Sequence, residues 1–504
     1  MSVGDPSGDT RVSSFVLVPS VPQTPLAAVA AAVDDAEIRD GDGVFVADAS
    51  FDSREVRSGA LFFCVRGAAF DGHAFAAAAA AAGAAALVVE RWLDVELPQV
   101  RVRSVREAMG PMSAAVFARP ADALTVAGVT GNNGKTTTSY LLESVFAAAG
   151  LVPGVIGTTG ARIAGDPAPL ARTTPEAPDL HRLLAAMRDR GVTTVAMEVS
   201  SHALAQDRVG GIRFDVAAFT NLSQDHLDFH PDMETYFETK AALFTPERAA
   251  AAVIGIDDDH GRRLRGLSTV PALTYGLTPD ADVRATDVVA DTTGISFRVG
   301  ELALSSPLLG TFNVQNCLCV LAVSRLLGIA DDAAAAGIAA LPGVPGRVEP
   351  VDEGQDFLVV VDYAHTPDSI QTVLAAARDV ASGRVIVVFG CGGDRDRGKR
   401  PLMGAAATSH ADLTVITSDN PRSEDPLGII AEIEPGAKQG GGRYVMEPDR
   451  RAAIRLAVRD AVEGDVVVIA GKGHEQGQSF RRRTDPFDDR TAAAEELRAS
   501  RGHR

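Results

Sequence analysis

The sequence predicts an α/β protein of three domains, with a parallel sheet in the central and C-terminal ones. Three observations carry that reading. Short runs such as "FLVVVDYAH", "RVIVVFGCGG" and "DVVVIAGKGHE" have apolar cores with no in–out alternation, as strands covered on both faces do. They end in Gly-rich or polar loops and alternate with stretches of helical spacing. At 504 residues the chain is too long for one core, and the Pro/Gly cluster "LPGVPGRVEP" marks a boundary near residue 343.

Residues 1–22, polar and containing Pro, Ser and Gly, read as a disordered lead-in. From 23 to 121, "GVFVA", "ALFFCVRG" and "AALVVE" alternate with Ala-rich helical stretches such as "HAFAAAAAAAG". The second domain, 122–343, opens with the buried strand "DALTVAGVTG" and continues through "TTVAMEVS", "VAAFTNL" and "AAVIGID". Within it, "VRATDVVADTTGISFRVGELALSS" reads as an antiparallel patch and "FNVQNCLCVLAVSRLLG" as an apolar helix. The third domain, 344–504, repeats the alternation as a Rossmann-like fold. Its segment "EPGAKQGGGRYVMEPDRRAAI" reads as a Gly-rich, mobile surface loop. Open sheets of this kind take ligands at the carboxyl ends of their strands, so function is expected in those loops.

The formal charge of −18 argues against general binding to nucleic acid or anionic membranes. An anionic ligand must then be met by local Lys, Arg and helix N-termini. Cys64, Cys317, Cys319 and Cys391 form no disulfide framework, and Cys317-x-Cys319 lacks the spacing of a metal knuckle, so all four read as core residues. The N-terminal "MSVGDPSGDTRVSS" has no apolar run; neither a signal peptide nor a membrane span is expected, and the reading is a cytoplasmic protein.

The stretch "ALTVAGVTGNNGKTTTSYLLESVFAAAG" is a strand, a Gly-rich turn and a helix, the setting of a phosphate-binding loop. It is shortened: the usual G-x-x-x-x-G-K-[ST] pattern needs glycine at 129, where Val129 stands. Gly131, Asn132, Asn133 and Gly134 would turn backbone N–H groups toward phosphate, with Thr137 in the first helical turn. Lys135 would reach the β/γ-phosphates and the Thr136 hydroxyl would ligate Mg²⁺.

Further motifs follow in order: "TTPEAPDL", "MEVSSHALAQDRV", "TNLSQDHLDFH", "YFETKAALF", "GTFNVQN", "PGRVE", "DYAHTPDS", "GCGGDRDRGKRPLM", "SDNPRSEDP" and "GKGHE". Together they closely resemble the Mur ligase family, in particular its branch that adds the third stem-peptide residue in peptidoglycan synthesis. The resemblance spans about residues 48–490, and that family uses the short G-x-x-G-K-T loop. It implies an N-terminal UDP-binding domain, a central ATPase domain and a C-terminal amino-acid-binding domain. The implied reaction is ATP-dependent amide formation through an acyl phosphate. The implied partners are UDP-MurNAc-L-Ala-D-Glu and a free amino acid, with the chain acting as a monomer.

Residue by residue, the resemblance implies Lys135, Lys240, His226 and Glu198 as catalytic. Thr136, Glu198, His226 and Lys240 would bind two Mg²⁺, with Lys240 carbamylated by CO₂. On its own, Lys240 in "METYFETKAALF" reads as a solvated surface charge. Asn313, Arg347 and Asp362 match ATP-binding positions; Asn316 shares their motif but reads equally as an inert helix residue. His365 would order phosphates or merely cap the helix that begins near Pro367. Phe51, Ser53, Thr173, Thr174, Ser200, Gln206 and Arg208 match positions that contact the UDP substrate. The "AAFDGH" stretch after Gly67 lacks polar donors found in some relatives.

The acceptor side speaks most specifically. "DNPR", Asp419, Asn420, Pro421 and Arg422, resembles the version of the family that selects meso-diaminopimelate, with Arg395, Gly471 and Glu475 completing the pocket. A guanidinium matches a planar carboxylate bidentately and would repel the ammonium of lysine. Seen alone, "SDNP" is a capped turn and "DRDRGKR" a solvated charge run. Readings carried alongside are a lysine-adding or folylpolyglutamate-type ligase and a non-catalytic nucleotide-binding scaffold. The basic run Arg481, Arg482 and Arg483 finds no mechanistic place.

Overall fold

The computed structural model describes residue 19, residues 22–67 and residues 70–501. The expected lead-in therefore falls almost wholly outside the described residues, as do Ala68 and Ala69 of "AAFDGH". Two compact units emerge: Met1–Val126 with Val152–Val195 and Ala203–Arg213, and Ala127–Leu151 with Ala196–His202 and Phe214–Arg504. Among the described residues no helix is long and apolar enough to cross a membrane.

In the first unit, strands Asp48–Ser50, Ala60–Phe63, Ala86–Val89 and Gln99–Arg101 pair in parallel, and Glu37–Arg39 adds an antiparallel edge. The runs "ALFF" and "ALVV" are buried at every position, which is why they show no alternation. Helix Val105–Val116 covers one face through Val105, Met109 and Met112. Helix Ala177–Asp189 packs beside it, its His181 fully buried with Nε2–H donating to the Gly210 carbonyl at 2.9 Å.

The second unit holds two parallel sheets. In one, Thr125–Thr130, Phe214–Phe219, Ala249–Gly255, Ala272–Gly276 and Val283–Arg284 run side by side, Val216 opposite Ala127 and Phe219 opposite Thr130. Helices Lys135–Ala148 and Phe312–Leu326 cover it, and Cys317 and Cys319 sit in their shared core. All four cysteines are free and buried, as core residues should be. The antiparallel patch is a meander of Thr286–Asp291, Gly294–Val299 and Leu302–Ser306.

In the other sheet the order is Glu349–Pro350, Leu358–Asp362, Val466–Ala470, Val385–Phe389, Leu413–Ile416 and Tyr444–Met446; all pairs are parallel except the first. Two separate clusters of buried residues cover its faces.

The Gly-rich insert is not a mobile loop. Its first half continues helix Pro426–Gly440, which ends at Gly441 with φ +79°. A Cβ at Gly436 would run into the Pro401 carbonyl, and one at Gly440 would lie 2.6 Å from the Ala405 carbonyl. The glycines let this helix seat directly on helix Lys399–His410, so here they encode close packing rather than freedom. Likewise "DRDRGKR" is not wholly solvated: Arg400 is 1% exposed and bridges Glu424 and Glu432.

Candidate functional site

The strand Thr125–Thr130 runs into a loop that ends where helix Lys135–Ala148 begins, with Gly131 at φ +139° and Gly134 at φ +86°. Neither position admits a side chain: a Cβ at Gly131 would strike Thr220 Oγ1, and one at Gly134 would strike Asn316 Oδ1. The loop is held from behind. Thr220 Oγ1–H donates to the Asn133 carbonyl at 2.6 Å, and Asn133 N–H donates to Asn221 Oδ1 at 2.9 Å. Asn132 spans Ser223 and Tyr236, donating Nδ2–H to Ser223 Oγ at 2.7 Å and accepting from the tyrosine hydroxyl at 3.2 Å.

Lys135 folds over this loop, donating to the Gly131 and Asn132 carbonyls at 3.0 and 2.7 Å. Burial lowers its pKa, opposed by the Glu198 carboxylate. Lys240 is not a solvated charge: it is 1% exposed and donates to the Gly131 carbonyl at 2.9 Å. Burial and the neighbouring Lys135 bring its pKa well below 10.5, favouring the neutral amine.

Asp225 was not singled out in the sequence, yet its carboxylate lies between His226 at 3.5 Å and His365 at 3.8 Å. Burial, with Lys135 and Lys240 nearby, keeps the His226 imidazole neutral. Glu198 is 1% exposed at the end of its strand. Thr136 accepts from Arg347 Nη2 at 3.0 Å.

The donor chemistry suits a hard divalent cation: a carboxylate, a hydroxyl and a neutral imidazole in one strand-end cluster. Among the described residues no three His, Cys, Asp or Glu side chains form a ready cage. Mg²⁺, which keeps phosphate oxygens and water in its shell beside protein ligands, is a cation of that kind. Lys240 Nζ donates to the Gly131 carbonyl and would offer such a set oxygen ligands only as a carbamate.

Arg347 also stacks over the Tyr363 ring at 4.6 Å, and its Nε is buried with no hydrogen-bond partner among the described residues. Asp362 accepts from Val348 N–H and Ala364 N–H at 2.8 and 2.7 Å, while burial pushes its carboxyl upward. Asn316 is not inert: it donates to Asn313 Oδ1 at 2.7 Å and walls Gly134. His365 does not cap its helix. Thr366 does, in a reciprocal box with Ser369, while His365 Nδ1–H donates to the Tyr363 carbonyl at 2.8 Å.

The acceptor motifs come together at the carboxyl ends of Leu413–Ile416 and Val466–Ala470. Asn420 Nδ2–H donates to Glu475 Oε2 at 2.7 Å, and Lys472, fully buried, donates to both Asn420 Oδ1 and Glu475 Oε2 at 3.0 Å. Gly471 at φ +116° leaves room for Asp419, whose Oδ2 lies 2.6 Å from where a Cβ would be. Arg422 is left-handed at φ +52° and donates to the Gly393 carbonyl at 2.7 Å. Pro421 joins Asn420 to Arg422 and is buried. Arg395 is exposed and donates to the Asp394 carbonyl at 3.3 Å; it borders Gly392 together with Arg422, a Cβ there lying 2.8 Å from Arg422 Nη1 and 3.8 Å from Arg395 Cγ.

The hairpin Gly477–Phe480/Arg483–Pro486 braces the same loop: Gln478 Nε2–H donates to the Asp419 carbonyl at 2.8 Å and Ser479 N–H to Asn420 Oδ1 at 2.9 Å. Arg481 and Arg482 form its exposed tip, and Arg483 pairs with Asp485 at 3.0 Å.

In the first unit, Thr174, Gln206 and Arg208 meet: Arg208 donates to the Thr174 carbonyl at 3.2 Å and to Gln206 Oε1 at 2.8 Å. Glu176, passed over in the sequence, anchors Arg208, Arg106 and Arg172 at 3.0, 2.5 and 3.2 Å. Its place in "TTPE", beside two threonines already singled out, was the available signal. Thr173 Oγ1 lies 3.2 Å from Thr158 Oγ1. Phe51 and Ser53 are half-buried on the turn after Asp48–Ser50. Ser200, in the second unit, is half-buried just before helix Ser201–Ala205.

Three family models match the chain: the Mur ligase family catalytic domain over 49–119, the Mur ligase middle domain over 129–324 and the Mur ligase glutamate ligase domain over 346–473. A UDP-N-acetylmuramoyl-L-alanyl-D-glutamate–2,6-diaminopimelate ligase of Solibacter usitatus is 47% identical over 460 residues, covering 89% of this chain and 93% of its own. A ligase of the same name from Geobacter metallireducens is 46% identical over 475 residues, with coverages of 89% and 93%. A solved structure of a ligase so named is 37% identical with TM-score 0.66, covering 91% of this chain and 96% of its own.

Proposed function

We propose a specific reaction for this chain, which belongs to the Mur ligase family: ATP-dependent attachment of meso-2,6-diaminopimelate to UDP-MurNAc-L-Ala-D-Glu, a cytoplasmic step of peptidoglycan precursor synthesis. The observation that carries it is the loop cluster in which Arg422 and Glu475 are tied to one framework through Asn420, Lys472 and the hairpin strand. A cation and an anion held in one place fit an acceptor that ends in both a carboxylate and an ammonium.

ATP, bound with Mg²⁺, supplies a phosphoryl group that turns the dipeptide carboxylate into an acyl phosphate, a leaving group the free carboxylate lacks. This chain's residues do the rest. The backbone of Gly131–Gly134 and the helix N-terminus at Lys135 face the nucleotide phosphates, and Lys135 exchanges its loop carbonyls for phosphate oxygens. Thr136, Glu198 and His226 would hold Mg²⁺. Lys240, its pKa well lowered by burial, is suited to react with CO₂ and would hold the second Mg²⁺ as a carbamate. Asn313, Arg347 and Asp362 would fix the base, ribose and phosphate ends of ATP. Thr173, Thr174, Ser200, Gln206 and Arg208, with Phe51 and Ser53 for the uridine, would orient the nucleotide-linked dipeptide. Glu475 would take the acceptor's distal ammonium and Arg422 its distal carboxylate, leaving the other amine to attack.

The division into 23–121, 122–343 and 344–504 is kept as the working domain assignment, supported by the three family segments. The chain is read as a monomer. The cytoplasmic placement rests on the need for ATP and on four free, buried cysteines.

The test is phosphate release with ATP and the UDP-linked dipeptide against a panel of amino acids. Turnover should require diaminopimelate, with the meso isomer preferred. Equal turnover with L-lysine would overturn the acceptor assignment.

A further inference from the structure

Behind the acceptor loops lies an ion pair that takes no part in the chemistry above. Arg450, the first residue of helix Arg450–Asp460, and Asp489, the first of helix Asp489–Arg501, both have side chains with 0% exposure. Their contact is bidentate, Nε to Oδ1 at 2.7 Å and Nη2 to Oδ2 at 2.6 Å. Two further guanidinium donors point to backbone carbonyls: Nη1–H to Ser418 at 3.3 Å and Nη2–H to Ala470 at 2.9 Å.

Those carbonyls have particular positions. Ser418 immediately precedes Asp419, where the Asp419–Arg422 loop starts; Ala470 ends its strand immediately before Gly471, where the Gly471–Glu475 loop starts. The two strands are not neighbours, because Val385–Phe389 lies between them in the sheet. No ladder bond therefore joins them directly; the loops meet in front through Asn420–Glu475 and Lys472–Asn420. Behind them a rigid planar cation reaches both strand-end carbonyls, and a lysine ammonium could not reproduce its fork.

We infer that Arg450, aimed by Asp489, is a positioning residue that fixes the spacing of the two acceptor-binding loops and so tunes affinity for the amino-acid acceptor. This rests on the acceptor reading above. The geometry explains why a full buried charge pair stands here although apolar residues of the same volume would pack as stably.

The experiment compares full steady-state kinetics of the wild-type chain, Arg450→Lys, Asp489→Asn and Arg422→Ala. Arg450→Lys should raise the KM for diaminopimelate on the order of tenfold, the worth of one charge-assisted hydrogen bond. The KM values for ATP and the UDP-linked dipeptide should stay put, and preference for diaminopimelate over lysine should fall. If Arg450→Lys does not fold, Asp489→Asn, which keeps the guanidinium but loosens its aim, should give the same selective rise. A folded variant with a lower melting temperature and all three KM values unchanged, or all three raised alike, would overturn the inference. The acceptor reading fails separately, if the wild type ignores diaminopimelate or Arg422→Ala leaves its KM unchanged.

Discussion

Lys240 Nζ and the Gly131 carbonyl are 2.9 Å apart, joining positions 109 residues distant in the chain beneath the phosphate loop. An amine with 1% exposure and a pKa brought down by burial and by Lys135 is costly to keep, so its retention points to use. The unfolded chain holds a proton on Lys240 up to 10.5 while the folded chain loses it well below, so this residue's contribution to stability falls as pH drops through that interval. Lys240→Met should therefore melt at the same temperature or higher at neutral pH while turnover falls by ~100-fold or more. Thermal melts paired with phosphate release check both halves.

Arg422→Ala should raise the KM for diaminopimelate by about 10- to 100-fold, as expected for a charge-assisted contact worth about 1.5–3 kcal/mol, with the KM for ATP unchanged. Arg422 donates one Nη1–H to the Gly393 carbonyl, which leaves other guanidinium donors for a carboxylate. Initial-rate kinetics with each substrate varied in turn decide the matter.

His181 predicts an acid limb in the stability curve. Burial holds its folded pKa at about 4 against the ordinary 6.5, and its Nδ1 is buried without a hydrogen-bond partner among the described residues. The unfolded state gains a proton below pH 6.5 that the folded state refuses. Stability is thus present above 6.5 and lost as pH falls toward about 4, by up to ~3 kcal/mol. Urea midpoints between pH 7 and 4 should fall less steeply for His181→Gln, which keeps a donor for Gly210 but does not titrate.

Gly436→Ala tests the helix packing. Helix propensity alone would stabilise it by up to ~1 kcal/mol. Against that, the new Cβ must displace backbone, with Pro401 Cα at 2.8 Å, and overpacking of this kind costs about 1–3 kcal/mol. The melting temperature should fall, with the KM values of the folded protein unaltered.

Much of the molecule was legible before folding. The strand runs, the three-stranded meander, the apolar helix around Cys317 and Cys319 and the phosphate loop all stand where the pattern put them. The Gly-rich insert misled because glycine at a helix crossing and glycine in a loop read alike; only the Pro401 backbone opposite Gly436 tells them apart. His365 reads from the sequence as ordering phosphates or as a helix cap; "HTPDS" contains both it and Thr366, and only the Thr366–Ser369 box shows which of them caps. Asp225, Glu176 and Arg450 escape a local reading because each also meets a partner far away in the chain: His365, Arg208 and Asp489.

The amino-acid order by itself determined the elements, the short loop's chemistry and which motifs follow one another, because hydrophobic period, glycine and charge act over a few neighbouring residues. Tertiary structure alone decided that Lys240 is buried rather than solvated, that Arg422 and Glu475 share one framework and that Arg450 stands behind both loops. Burial and through-space contact are properties of packing between strands and helices distant in the chain, and no local pattern encodes them.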